Sequence, residues 1–177
     1  DGAKVNQNVA YQTANQSVYV LANSDTYIVT AGGSGGGAGA AGVGGVANIG
    51  VFTKNTKAFI GKGALVNAQK DIVVSAESSQ LLVGVTISIY GAGVAAVSGN
   101  VGTFTFANLT EAYIDENAVV DSEGNVKLSA ADDSLLISVV ATGGGAGVAA
   151  VNGTISVNTL VSQTRAYIAD GATVNAR

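Results

Sequence analysis

Histidine, cysteine, methionine, tryptophan and proline are all missing from this chain. Without histidine it lacks the usual general base near neutral pH. Without cysteine it has no thiol nucleophile, no thiolate metal ligand and no disulfide. A Ser-His or Cys-His pair and an ordinary zinc site are excluded with them. The lack of cysteine does not set the compartment, because long repeat proteins stabilise themselves by stacking. Charge is scarce too: 11% of residues, against roughly 25% in an ordinary soluble domain. The 8 basic and 12 acidic residues give a net charge of −4. No basic stripe is available to displace counterions from nucleic acid or to adsorb to anionic lipid. No basic segment followed by an apolar run opens the chain, so no signal peptide is visible.

What is present is aliphatic and small: 47% apolar residues and 25 glycines in 177. That apolar share excludes disorder and suffices for one domain with a core. The order of residues is periodic. Thr56-Lys57-Ala58-Phe59-Ile60 recurs as Thr110-Glu111-Ala112-Tyr113-Ile114 and as Thr164-Arg165-Ala166-Tyr167-Ile168, 54 residues apart each time. Gly91-Ala92-Gly93-Val94-Ala95-Ala96-Val97 recurs at Gly145 to Val151 with the same spacing. Aligning 58–111 with 112–165 leaves 19 of 54 positions identical without a gap. The first copy carries seven extra residues between Asn6 and Ser17, expected as a loop on one face. The chain thus reads as one segment with units at about 1–57, 58–111 and 112–165, and the next begins at 166–177. Because it begins and ends inside a repeat, it reads as a piece of a longer protein whose export signal lies elsewhere.

Helix formers are few and β-branched residues many, so each unit is expected to be strands. In the third copy these are Ala112–Ile114, Ala118–Val120, Asn125–Ser129, Leu135–Thr142 and Val148–Val161. The near-continuous apolar run from Leu135 to Val140 suggests a strand covered on both sides. Gly2, Gly63, Asn117 and Gly171 occupy equivalent positions and tolerate positive φ, which predicts left-handed turns there. Asp170-Gly171 and Asn152-Gly153 are further turn signals. Such repeats bury their apolar face only against neighbours. The expected fold is all-β: a right-handed parallel β-helix or wide β-solenoid of tandem ~54-residue repeats, with coils about 4.8 Å apart. Phe59, Tyr113 and Tyr167 would form one ladder, and Lys57, Glu111 and Arg165 another of alternating charge. A unit could be one wide coil or two narrow ones; the charge ladder favours one.

No catalytic, cofactor-binding or metal-ligating residue is assigned. Gly32-Gly33-Ser34-Gly35-Gly36-Gly37 lacks the following Lys-Ser/Thr of a phosphate loop and reads instead as a place where two layers approach closely. Asp115-Glu116, Asp121-Ser122-Glu123-Gly124-Asn125 and Asp132-Asp133 could be taken for calcium ligands. The position matching 121–125 in the preceding copy is Asn67-Ala68-Gln69-Lys70-Asp71, a poor oxygen cage, so solvated turns are expected. The sequons at Asn15, Asn108 and Asn152 are expected by chance in so Asn- and Thr-rich a chain. No charge occurs at 26–53, 78–110 or 134–164. Buried strand pairs account for these stretches more simply than membrane insertion.

The cadence Ala166-Tyr167-Ile168, then Gly171-Ala172-Thr173-Val174-Asn175-Ala176, with the Gly145 to Gly153 run, resembles the haemagglutinin-type repeats of very large Gram-negative exoproteins. These include filamentous-haemagglutinin-like adhesins and leukotoxin-like exoproteins of anaerobes. The resemblance covers nearly the whole chain. It implies type V secretion, a β-helical stalk, a place in the medium or on the outer cell surface, and a host-cell or bacterial surface component as partner. The Asn-Pro motifs of that family's secretion domain are absent, as is an Arg-Gly-Asp triplet. The expected role is a structural and adhesive repeat displaying loops such as Gln7–Gln16, with no cofactor and with end-to-end self-association through free strand edges. A membrane-active, cytolysin-like segment is the alternative. A carboxylate enzyme ranks last, since Asp115, Asp121 and Asp133 vary between copies.

Overall fold

Runs of Val, Ile, Thr and Tyr, with no proline to interrupt a ladder, form strands along the whole chain. A computed structural model describes residues 1–177, the side chain of Val9 excepted. In order the strands are β1 (Lys4–Val5), β2 (Val18–Ala38), β3 (Ala41–Ile60), β4 (Leu65–Ala68), β5 (Ile72–Ala92), β6 (Ala95–Ile114), β7 (Val119–Ser122), β8 (Val126–Ala146), β9 (Ala149–Ile168) and β10 (Thr173–Ala176). One 3₁₀ turn covers Val9–Tyr11.

Every strand pairs in parallel with its counterpart in the next unit. A short sheet is ordered β1-β4-β7-β10, a first long sheet β2-β5-β8 and a second long sheet β3-β6-β9. Residues 54 apart oppose each other along both long sheets, from Val18↔Ile72↔Val126 to Ile60↔Ile114↔Ile168. One unit is therefore one wide coil of a parallel β-solenoid. Lys57, Glu111 and Arg165 sit in successive coils, which decides against two narrow coils per unit. The seven extra residues of the first copy fall between β1 and β2, where Asn6 meets Asn67, 61 positions on, before the 54-residue spacing resumes at Val18.

Strands of 20 and 21 residues run roughly 65 Å, far longer than usual. The two long sheets lie face to face. At one end, the tip, β2–β3, β5–β6 and β8–β9 are joined by two-residue turns at Gly39-Ala40, Gly93-Val94 and Gly147-Val148. At the other end, the root, the short sheet holds them apart. The root turns adopt positive φ at Gly2, Gly63, Asn117 and Gly171, between 56° and 72°, as their residue types predict. The strands expected at Asn125–Ser129 and Leu135–Thr142 are parts of one strand, β8. Val148–Val161 lies mostly in β9, so Asn152-Gly153 makes no turn. A parallel ladder to the preceding coil carries the backbone through these polar positions: Asp132 opposes Ser78, and Asn152 opposes Ser98.

The interior changes along the strands. In the root, Ile72, Val74, Ile114 and Val120 are fully buried with Ala58, Ile60, Ala112 and Ala118 in one apolar cluster. Further out Leu82, Phe104 and Phe106 form a second, smaller cluster. Between and beyond these clusters the inward side chains are polar: Ser78, Gln80, Asn108 and Thr110 in one layer, and Thr86, Ser88, Ser98 and Asn100 nearer the tip. The apolar side chains of the outer half point the other way. Ile87 and Ile89 in β5, and Leu135, Ile137 and Val139 in β8, are exposed. The run from Leu135 to Val140 is thus covered on one side only, contrary to the expectation of cover on both.

Candidate functional site

Stacking supplies the most organised chemistry on the surface. The rings of Phe59, Tyr113 and Tyr167 lie nearly parallel, with centroids 5.1 Å apart at each step. Beside them Glu111, almost buried, accepts from Lys57 at 2.8 Å and lies 3.9 Å from Arg165. That hydrogen bond to Glu111 raises the pKa of the Lys57 ammonium. A carboxylate between two cations from the coils on either side favours this register over one that stacks like charges. Lys62–Glu116 and Arg177–Glu123 repeat the theme at the root, and Asn175 donates to Asp121 at 2.6 Å.

The Gln7–Gln16 loop is the one insertion, and it folds back on the root. Gln12 donates to the Asn6 carbonyl at 2.6 Å and accepts from Gln69 at 2.6 Å, while the Gln16 carbonyl accepts from the Lys70 backbone. Tyr11 is left projecting into solvent. The loop therefore presents Tyr11 from a fixed base beside a polar hollow lined by Gln12, Asn67, Gln69, Asp121 and Asn175.

Two charged groups enter the gap between the long sheets, and sequence reasoning assigned neither there. Lys54, from β3, donates to the Ser24 and Ser79 carbonyls at 2.6 and 3.0 Å. Burial lowers its pKa, opposed by Asp132 and Asp25. Asp132, from β8, accepts from Ser162 and Ser134. Burial pushes its carboxyl upward, yet these donors, together with Ser78 and Gln80, outweigh it and hold the group below the usual carboxylate range. Strand parity was the available signal. Lys54 shares parity with the buried Ile60 of its strand, and Asp132 with the partly buried Val126 and Leu128 of its own.

The sequence candidates for ligand binding scatter. Gly32 to Gly37 lie in extended strand β2, not in a loop before a helix. Their smallness serves packing: the Tyr90 ring occupies space where a Cβ at Gly44 would lie 1.8 Å from it and one at Gly36 2.8 Å. Asp115 and Asp121 belong to the root, whereas Asp133 faces outward on the first long sheet, where it shares a hollow with Asp25 and Glu77 of other coils. Among the described residues, no three Asp or Glu come together in a way that could hold a metal ion. No helix among them is long and apolar enough to cross a membrane. Comparison with known protein families, with curated proteins and with solved structures finds no match to this chain.

Proposed function

We propose that the chain is a structural and adhesive repeat segment of a large bacterial exoprotein, secreted or held at the outer surface of a Gram-negative cell. The observation that carries this reading is the unbroken 54-residue register. Each unit completes the backbone pairing of the one before, so added units lengthen the molecule by about 4.8 Å per coil without a new fold. The anchored Gln7–Gln16 loop leaves the next strand in register, which supports the display of a binding surface on inserted loops. The haemagglutinin-type cadence around Tyr167 and Gly145–Gly153 supports the placement at the cell surface and a host or bacterial surface component as partner.

A second reading, a membrane-active segment of a cytolysin, draws on one observation: the outer half of the chain is uncharged and apolar on its outside.

Excision of 58–111 tests the structural part, because it joins Lys57 to Ala112 and returns coil three to coil one. The product should stay folded by far-UV circular dichroism and be one coil thinner by small-angle scattering; an unfolded product contradicts the reading. For adhesion, beads coated with the chain should bind cultured epithelial cells or bacteria, and less well without Gln7–Gln16. Coated beads that bind neither contradict the adhesive part.

A further inference from the structure

We propose that the outer face of the first long sheet is a docking surface for a second copy of this chain, packed sheet on sheet with the root of one copy over the tip of the other. Between the Asp25–Ser79–Asp133 row and the tip, that face presents Val29, Ile87, Ile89, Ile137 and Val139 to solvent. The Tyr27 hydroxyl is the one polar side-chain group along it. The second long sheet interrupts its apolar rows with Thr103, Thr105 and Thr159, so the first is the better candidate.

Two observations choose the occupant. The first is area. Eleven residues by three strands make roughly 500 Å² of flat sheet per copy. Pairing two such faces removes roughly 1,000 Å² before side-chain relief is counted, near the lower bound for a specific dimer. The second is charge. The face is neutral, but its root end carries Asp25, Glu77 and Asp133 around one hollow. Root over root would oppose these carboxylates. Root over tip, with the twofold axis along the stacking direction, separates them and lets two solenoids run side by side. Each further coil widens the face by about 4.8 Å, so affinity should grow with the number of units.

Sedimentation velocity from roughly 1 to 300 μM, a span suited to a small interface, tests this. The chain should pass from monomer to dimer and stop there, as a closed twofold contact requires. Ile87→Lys should weaken the dimer by about 100-fold or more, because it buries an unpaired charge, with unchanged circular dichroism. Val157→Lys, on the second long sheet, should leave it intact. Should Ile87→Lys fail to fold, Val85→Cys decides instead: it should cross-link to its own copy on oxidation, and Val101→Cys should not. A monomer throughout, a dimer insensitive to the first sheet, or open-ended growth through the strand edges overturns the proposal. So does a monomeric chain that binds phosphatidylcholine vesicles through Ile87.

Discussion

In the root, Ile72, Val74, Ile114 and Val120 are sealed inside while Lys62, Glu116 and Arg165 face water; in the blade that runs from there to the tip, Thr86, Ser88 and Asn100 are sealed inside while Ile87, Ile89 and Val139 face out. The same strands build both, without a break in register. The root follows the usual division of apolar and polar groups and supplies most of the hydrophobic stabilisation. The blade holds its shape by other means: backbone ladders to the coils on either side, and bulky side chains set against glycines. Gly44 and Gly36 leave room for Tyr90, and Gly84 for Phe104. Several inward polar atoms of the blade, including the Thr86 and Ser88 hydroxyls, have no partner among the described residues, so its interior contributes little and can cost.

The largest contrast is expected in the two regions' tolerance of truncation. Ile114→Ala, in the root, should lose about 2–5 kcal/mol in urea denaturation. Val139→Ala, on the blade's outer face, should stay within about 0.5 kcal/mol. Equal losses would abolish the distinction. Next comes the steric fit in the blade. Gly44→Ala should cost about 1–3 kcal/mol by pushing Tyr90 from its slot, and most of that cost should vanish in a Tyr90→Ala background. Additive losses would mean that Tyr90 does not fill the slot. Smaller, and opposite in sign, is Thr86→Val, a near-isosteric swap that removes a buried, unpartnered hydroxyl. It should leave stability unchanged or raise it by about 1 kcal/mol; a loss of that size would show that the hydroxyl is satisfied.

The finest test is pH. Asp132 sits at the boundary of root and blade with its carboxyl below the usual range, so its stabilising contribution is complete above an ordinary carboxylate pKa of about 4. That contribution is lost as pH falls through the lower folded value. Between about pH 6 and pH 3 the melting temperature should fall further for the natural chain than for Asp132→Asn. Parallel curves would place Asp132 in water.

How much of this could be read in the sequence depends on the element. The period, the parallel stacking, the Phe59–Tyr113–Tyr167 ladder and the left-handed turns all follow from residues that recur every 54 positions, because a ladder writes its register directly into the repeat. The strand boundaries did not. In β5 the apolar residues occupy even positions at Ile72, Val74 and Ala76, then odd ones from Leu81 to Ile89. Such a change of parity looks like two strands with a bend between them. Only the unbroken ladder to β8 shows that the backbone continues and the outer half must turn its apolar side to solvent. The inward placement of Lys54 and Asp132 was hidden for the same reason. A charge in a mostly apolar strand reads as a turn or a wet face until the parity of the neighbouring coils is known.

Paired cysteines offer the most direct measurement, since the natural chain has none. Ser79→Cys with Asp133→Cys joins two outward positions that oppose each other in adjacent coils. Ser79→Cys with Leu135→Cys offsets the pair by two residues along the strand. In dilute oxidised protein, mass spectrometry should find the intramolecular disulfide readily in the first pair and scarcely in the second, whose Cα atoms lie about 8 Å apart, beyond disulfide reach. Equal yields, or a preference for the offset pair, would contradict in-register stacking of 54-residue coils.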